Sequence, residues 1–279
     1  MKEAIKTIRW KTVFRLLGVV MGLVGVVLLM GLVAKKDAVQ VCQELEVIIE
    51  GKETFIDQQD ISEMISQIYG EVEGKLLQEI PTHEIEQELK GIPYVSNAEV
   101  YMDMDGKMSV KVKQREVILR VVPTVGESYY LASDGKKIPV TLKYVPYVMV
   151  ANGHIREHYQ EAMEEIQTPT LEHLYNFAQF VKGDTLWSNQ IVQLYVNQDE
   201  EIEIIPRVGK QQFVIGTADS LASKLNRIEL FYKNILPKVG NDAYNKVNVK
   251  YTGQIICERN KDWFIDSLQM QLSKVNIGH

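Results

Sequence analysis

The chain has 279 residues, of which 46% are hydrophobic and 24% charged, enough for one large domain or two small ones. Its two cysteines, Cys42 and Cys257, exclude a disulfide framework and a four-cysteine zinc site. The net charge of −6 is uneven: the first 34 residues carry five basic side chains and one acidic, so the other 26 basic and 36 acidic residues leave the remainder at −10. An acidic body argues against nucleic-acid binding, which depends on neutralising phosphates.

A single membrane-spanning helix is predicted near the N-terminus, over residues 12–34. The 19 residues from Leu16 to Ala34 carry no charge, and their helical length of about 28 Å matches the apolar thickness of a bilayer. A cleaved signal peptide is the alternative, but its apolar region is usually about 7–15 residues long and ends in small residues. The excess of basic residues before the span places residues 1–11 in the cytoplasm. We therefore expect an inner (cytoplasmic) membrane protein whose bulk is periplasmic.

Two glycines in this segment have the spacing of a helix-packing motif. Gly18 and Gly22 lie four residues apart, which lets a neighbouring membrane helix approach closely. Glycine is also common in membrane helices in general, so a span without a specific packing partner stays open.

Residues 45–113 predict a small α/β unit in the order strand, helix, helix, strand, strand. We expect two helices on one face of a three-stranded sheet. The predicted elements are a strand at 45–50, a helix capped by Asp60 with Ile61, Met64, Ile65 and Ile68 on one face, a helix from near Pro81 to Gly91, and strands 97–104 and 107–113 joined by a turn at Asp105-Gly106.

The second half of the chain is richer in strands, so the expected fold class is α+β. Strands are predicted at 117–122, 128–132, 136–140, 147–151, 191–196, 201–205, 212–215, 246–251 and 254–258. Helices are predicted at 170–182, from Asp219 or Ser220 to Pro237, and in the tail, where Ile265, Leu268, Leu272 and Val275 have helical spacing.

Two short matches to catalytic motifs are interpreted as structural. The segment from His154 to His158 matches H-x-x-E-H, a zinc-peptidase pattern, but it follows a predicted strand and polar residues surround it. The segment from Ser133 to Lys136 matches S-x-x-K, but its central Asp-Gly predicts a hairpin turn. Cys257 lies in an apolar strand, where a small buried side chain is the usual reading. The sequence therefore predicts a protein that is not an enzyme and has no metal or cofactor.

Five short motifs follow the apolar N-terminal segment in a fixed order. They are Gly91-Ile92-Pro93-Tyr94-Val95 followed by Ala98 and Val100, Val110 to Glu116, Ala132-Ser133-Asp134-Gly135, Ile215-Gly216 followed by Lys224-Leu225, and Val247-Asn248-Val249-Lys250-Tyr251. These motifs and their order resemble the FtsQ/DivIB family of bacterial cell-division proteins over nearly all of residues 1–258. Three positions depart from the family pattern: Val117 stands for a proline, Asn248 for an aspartate and Lys250 for an arginine. The Met- and Tyr-rich first hairpin resembles versions from the Bacteroidetes group.

The resemblance implies a POTRA domain at 35–115 including a short connector, a β domain at 116–258 and a tail at 259–279. It also implies a scaffold that links early division-ring components to septal peptidoglycan synthesis by binding FtsB and FtsL. In the family this binding uses the last strands of the β domain, as an edge that a partner strand extends. The implied contact residues here are Lys224, Lys250, Tyr251, Thr252, Gly253 and Gln254.

Other interpretations of these residues and of the chain stay open. Strand alternation puts Tyr251 on the same face as Val247 and Val249, which favours a buried core tyrosine. Lys224 could be an ordinary solvated helix residue. As a whole, the chain could instead be a POTRA-bearing envelope protein that docks or chaperones secreted chains, or a membrane-anchored zinc peptidase using His154 and His158.

Overall fold

The computed structural model of the chain describes residues 17–28, 30, 40–103 and 105–263. These residues divide into two compact units. The first takes its described residues from Met1–Glu50, Ile56–Gly91 and Asn97–Val112, and the second from Gly51–Phe55, Ile92–Ser96 and Lys113–His279.

The described part of the predicted membrane span is helical. Residues 17–28 form a helix that contains Gly18 and Gly22, and a Cβ built on either glycine would meet no atom within 4 Å. Within the described residues, no helix has the length and apolar character needed to cross a bilayer. The other residues of the predicted 12–34 span, apart from Met30, lie outside the described residues, and so does the predicted tail helix from Ile265 to Val275.

The first unit has the predicted order of strand, helix, helix, strand, strand, and its three strands form a sheet in the order β1-β3-β2. Both helices bury an apolar face that includes Ile61 and Leu89, whereas Ile68 is exposed. The elements are β1 (Glu44–Glu50), α1 (Gln58–Tyr69), a 3-10 turn (Leu77–Glu79), α2 (Thr82–Lys90), β2 (Val95–Met102) and β3 (Lys107–Gln114).

The prediction that Asp60 caps the first helix is wrong by one turn. Asp57 is the N-cap, and its carboxylate accepts a hydrogen bond from the Asp60 backbone N–H at 2.9 Å. Asp60 occupies the third helical position and accepts from the Asp57 N–H at 2.8 Å, which completes a reciprocal capping box. Asp57 and Asp60 are three residues apart, and aspartate is a common N-cap at either position. The sequence alone therefore did not show that Asp57 is the cap.

The second unit is built on a nine-stranded sheet in the order β12-β11-β10-β9-β8-β7-β4-β5-β6. Its strands are β4 (Val117–Val121), β5 (Tyr129–Ala132), β6 (Lys137–Pro139), β7 (Met149–Gly153), β8 (Ile191–Val196), β9 (Ile202–Pro206), β10 (Gln212–Gly216), β11 (Tyr244–Asn248) and β12 (Ile256–Arg259). Its helices are α3 (Pro169–Lys182), α4 (Thr185–Gln190), α5 (Leu221–Leu230), a π-helix (Phe231–Ile235) and α6 (Leu236–Val239).

Two crossover connections organise this sheet. β7 pairs with β8 in parallel and β10 pairs with β11 in parallel, so α3–α4 and α5–α6 each link two parallel neighbours. Crossovers of this kind are almost always right-handed, and both step along the sheet in the same direction. They therefore place α3 and α5 on one face, where Leu174, Phe177, Leu225 and Ile228 join a single apolar core.

The helix that begins after Ser220 differs from the prediction at its C-terminal end. The sequence predicted that Pro237 would stop it, but the π-helix carries the chain on to α6, whose first turn contains that proline. Proline is tolerated in the first turn of a helix because its missing N–H has no helical partner there. The π-turn also places Phe231 and Tyr232 against Phe213 of β10, with ring centroids 5.7 Å and 5.4 Å away.

A buried ion cluster fixes the long connection between β7 and α3. Lys137 on β6 is 1% exposed, and its Nζ lies 2.8 Å from Glu157 Oε1 and 3.0 Å from Glu164 Oε2. Glu157 also accepts from the backbone N–H groups of Gln167 and Thr168 at 3.0 Å and 2.8 Å. Burial is the largest influence on Glu157 and raises its pKa, but these hydrogen bonds together hold that pKa below the ordinary value.

This cluster predicts a contrast between two neighbouring lysines. Lys137→Met leaves the buried carboxylate of Glu157 without its cation, so we expect the free energy of unfolding to fall by about 3–5 kcal/mol. Lys136→Met removes a surface pair with Glu165 and should cost about 1 kcal/mol or less. Urea unfolding of the full chain measures both. Equal losses for the two variants would contradict a stabilising role for the buried cluster.

Candidate functional site

A cleft of about 520 Å³ opens at the end of the sheet where β8, β10 and β11 finish. Because β10 and β11 are parallel, both strands end at the same edge, at Gly216 and Asn248. This carboxyl end is where open α/β sheets usually place their functional residues. Three of the predicted contact residues, Lys224, Lys250 and Tyr251, line the cleft together with Pro169, Thr170, His173, Asp199, Glu200, Glu201, Ile215, Gly216, Thr217 and Asp219.

Lys224 is buried instead of displayed on the surface of α5. Its side chain is 3% exposed, and Nζ donates to the Thr217 carbonyl at 2.9 Å and to Asp219 Oδ1 at 2.7 Å. The hydrogen bond from Lys224, with a second from the Thr217 hydroxyl, holds the pKa of Asp219 below its ordinary value. The interpretation of Lys224 as a solvated helix position is therefore wrong, and the structure makes it a clamp on the turn between β10 and α5.

The Lys250 side chain also forms an ion pair within the chain. Its Nζ lies 2.6 Å from Oε1 of Glu201, in the turn between β8 and β9, and 5.0 Å from the centre of the Tyr251 ring. The hydrogen bond to Glu201, followed by the contact with Tyr251, raises the pKa of Lys250. Both predicted lysines thus have acidic partners of their own, which lowers their value as free cations for an acidic partner.

The strand predicted at 246–251 ends three residues early, and two side chains explain why. Asn248 Oδ1 accepts the backbone N–H of Lys250 at 3.0 Å, so that N–H is not available to a ladder. Arg227 on α5 donates Nε and Nη2 to the Val249 carbonyl at 3.2 Å and 2.6 Å. Polar side chains therefore form hydrogen bonds with the main-chain groups that a longer β11 would use to pair with neighbouring strands.

Tyr251 is consequently exposed, so the alternative interpretation from strand alternation, a buried core tyrosine, is wrong. About half of its surface, 49%, is accessible. It begins a tight turn in which Gln254 N–H donates to the Tyr251 carbonyl at 3.3 Å. Gly253 has φ +71°, a left-handed conformation that glycine adopts without strain. Thr252, Gly253 and Gln254 thus form the connection between β11 and β12 instead of a strand.

The strand after this turn lies at one end of the sheet. In the described part of the chain β12 is the terminal strand, and it pairs on one side with β11 in antiparallel register, Val247 opposite Cys257. Ile256, its first residue, is 49% exposed. Burial raises the pKa of the Cys257 thiol. β12 is therefore the strand at this end of the described sheet, and it begins two residues after the last predicted contact, Gln254.

The sequence analysis missed Arg227, which does not line the cleft but bonds to Val249, the residue before Lys250. It also did not single out Glu201 or Thr217 of the cleft. Arg227 is 8% exposed, three residues after Lys224, and its third nitrogen, Nη1, donates to Ser223 Oγ at 2.8 Å. A signal was present in the sequence: Lys224 directly precedes Leu225 and Arg227 directly precedes Ile228, which places both cations beside the apolar stripe of α5. Which main-chain groups they reach depends on the tertiary fold.

The zinc-peptidase motif has a structural explanation. Residues 155–160 have no helix, His154 Nε2 accepts from Arg156 Nε at 3.2 Å, and His158 lies on the surface beside Gln160. Glu157 belongs to the buried cluster with Lys137. Across the residues the structure describes, no three His, Cys, Asp or Glu side chains converge to hold a metal ion.

The S-x-x-K match lies in a hairpin, as predicted. Ser133 and Asp134 form the turn between β5 and β6, and Gly135 has φ +81°. Lys136 Nζ contacts Glu165 at 2.6 Å instead of the serine. The catalytic arrangement, which needs Ser and Lys on one helical turn, is not formed here.

A substitution of Lys224 tests whether this lysine holds the turn between β10 and α5. In Lys224→Met the Thr217 carbonyl loses a buried donor, so we expect a loss of about 1–3 kcal/mol in the free energy of unfolding. The control is Lys233→Met, which removes an exposed pair with Glu229 and should cost about 0.5 kcal/mol or less. Urea unfolding measures the difference. A Lys224 variant as stable as the control would show that this lysine does not hold the turn.

Comparison with known protein families agrees with this architecture. The family model described as FtsQ/DivIB, C-terminal related, matches residues 116–258, and the model of a POTRA-like domain matches residues 40–113. No curated protein matches the chain significantly. The first match covers just over half of the chain and coincides with the nine-stranded sheet and its crossover helices, and the second coincides with the strand, helix, helix, strand, strand unit. The chain therefore belongs to the FtsQ/DivIB family of cell-division proteins.

Proposed function

We propose that this protein is a non-catalytic, membrane-anchored scaffold of the bacterial divisome. It links early components of the division ring to septal peptidoglycan synthesis by binding FtsB/FtsL-type partners at the β12 edge. The observation that carries the proposal is the position of β12 at the end of the sheet in an FtsQ/DivIB domain, directly after a turn that exposes Tyr251.

A terminal strand can bind an extended segment of another chain. Its outward main-chain groups offer the hydrogen bonds of one further strand, and alternate side chains of the added strand supply specificity. Ile256, half exposed at the start of β12, provides an apolar contact at one end of this edge. Such binding needs neither a cofactor nor a small-molecule substrate.

Tyr251 is the side chain best suited to anchor a partner beside this edge. It combines a large apolar ring with a hydroxyl, a combination that is enriched among the residues that dominate interface energies. Lys250 packs near its ring while pairing with Glu201, so the ring is held before binding. Because Lys224 and Lys250 are already paired with Asp219 and Glu201, their charges hold the site in place more than they attract a partner. We place Lys224 outside the direct contacts.

The N-terminal segment supplies the membrane anchor in this proposal. The uncharged run from Leu16 to Ala34 and the basic residues before it support a single span with a cytoplasmic N-terminus and a periplasmic body. Gly18 and Gly22 would then face a neighbouring membrane helix.

A second candidate function is that of an envelope protein that docks or chaperones secreted chains. The POTRA-like match to residues 40–113 favours it, because an exposed sheet edge in such a domain can also receive an extended chain. The two functions differ in what the protein captures, so one experiment can separate them.

Photocrosslinking in cells tests the scaffold proposal. A crosslinking amino acid at Thr252, beside the proposed edge, should capture a short membrane-anchored division protein. The control position is Leu142, which is fully exposed and follows β6 at the other end of the sheet. Tyr251→Ala in the same background should lower the yield about tenfold or more, while Tyr195→Ala, another partly exposed tyrosine, should not.

The captured protein decides between the candidates. A division protein obtained from position 252 and not from position 142 supports the scaffold, and secreted or outer-membrane chains favour the chaperone function. Equal capture from both positions, or an unchanged yield in Tyr251→Ala, would contradict binding at the β12 edge.

A substitution in the N-terminal segment tests the anchor. Val26→Asp puts a charge near the middle of the proposed span, which costs about 2.5–3.5 kcal/mol on insertion scales, so we expect less protein in the membrane fraction. Val26→Leu is the matched control and should fractionate like the unchanged chain. Full membrane recovery of the Asp variant would count against a single apolar span as the anchor.

A further inference from the structure

We infer that Arg227 is a positioning residue that holds the 250–254 loop in the form that displays Tyr251. Its importance for binding rests on the proposed function, whereas its effect on the loop can be measured without a partner. The inference starts from an unusual feature of β11: the last core residue of this segment, Val249, has its carbonyl bonded by a side chain from a helix instead of by a neighbouring strand.

The two main-chain groups of Val249 have different partners. Its N–H donates to the Val214 carbonyl of β10 at 2.9 Å, which continues the parallel ladder for one more bond. Its carbonyl accepts two hydrogen bonds from the Arg227 guanidinium, at 3.2 Å and 2.6 Å. Val249 is therefore the point at which strand pairing stops and the loop begins.

The guanidinium group fits this position closely. Three of its nitrogens donate, two to Val249 and one to Ser223 Oγ at 2.8 Å, so its planar fork is fixed on both sides. Arg227 is 8% exposed and faces inward from α5. A lysine could donate to the carbonyl from a single nitrogen but could not reproduce the fork, and a methionine could not donate at all.

Beyond Val249, the loop is held by the ion pair of the Lys250 side chain with Glu201 at 2.6 Å, but its main chain has few fixed contacts. Lys250 N–H bonds to Asn248 Oδ1 at 3.0 Å, and Gln254 N–H bonds to the Tyr251 carbonyl at a long 3.3 Å. Thr252, Gly253 and Gln254 are exposed. The direction in which the chain leaves the sheet therefore depends on the anchor at Val249, and Arg227 supplies that anchor without reaching the surface that carries Tyr251.

Amide hydrogen exchange of the full chain tests the positioning role. In Arg227→Met we expect the hydrogen-bonded backbone amides of Val249, Lys250 and Gln254 to exchange at least tenfold faster, with Arg227→Lys intermediate because it keeps one donor. Leu174→Ala, a fully buried core residue on α3, is the control for general loss of stability. Faster exchange at these three amides in the Arg227 variants, beyond that in Leu174→Ala, supports the inference. Unchanged exchange there, or an equal rise in Leu174→Ala, overturns it.

Crosslinking from position 252 then tests the consequence for binding. If the unchanged chain captures a division partner, Arg227→Met should lower the yield several-fold, Arg227→Lys should restore part of it, and Leu174→Ala should preserve it. Retained yield in Arg227→Met despite faster loop exchange would overturn the link to binding. If the unchanged chain captures no partner, the proposed function fails, while the exchange result still decides whether Arg227 holds the loop.

Discussion

The candidate site depends on two buried cations of α5 that bind main-chain carbonyls at the ends of two parallel strands. Lys224 donates to the carbonyl of Thr217, just after β10, and Arg227 donates to that of Val249, just after β11. Parallel neighbours end at the same edge, so one helix reaches both. A buried carbonyl without a donor is costly, as at the fully buried Val249, so the hydrogen bonds from Arg227 help to determine where β11 stops and how the chain continues.

Local pattern predicted most of the elements, because alternation and helical spacing follow from burial on one face. It predicted the strand, helix, helix, strand, strand order of the first unit and the positions of β4 to β10. It did not predict α4, which has six residues and buries no side chain completely. The end of β11 was mispredicted for another reason: Arg227 reaches Val249 from 22 residues away, and no local pattern encodes such a contact.

The same limit applies to the charges at the site. From the sequence, Lys224 and Lys250 are cations available to an acidic partner. In the fold, Asp219 and Glu201 neutralise them, so the recognition surface that we propose is the Tyr251 ring with the adjoining strand edge. This arrangement suits an acidic protein, since its specificity would come from main-chain hydrogen bonds and an aromatic contact and would depend little on long-range charge.

The motifs that carry the family resemblance mostly build the frame of the site. In Lys224-Leu225, the lysine holds the turn after β10 and the leucine fills the core. In the segment from Val247 to Tyr251, the two valines are fully buried and Asn248 turns the chain. Tyr251 is the member of this segment with the most surface left for a partner. A fold that fixes Val249 and Lys250, the two residues before this tyrosine, restricts its orientation, which lowers the entropy lost on binding.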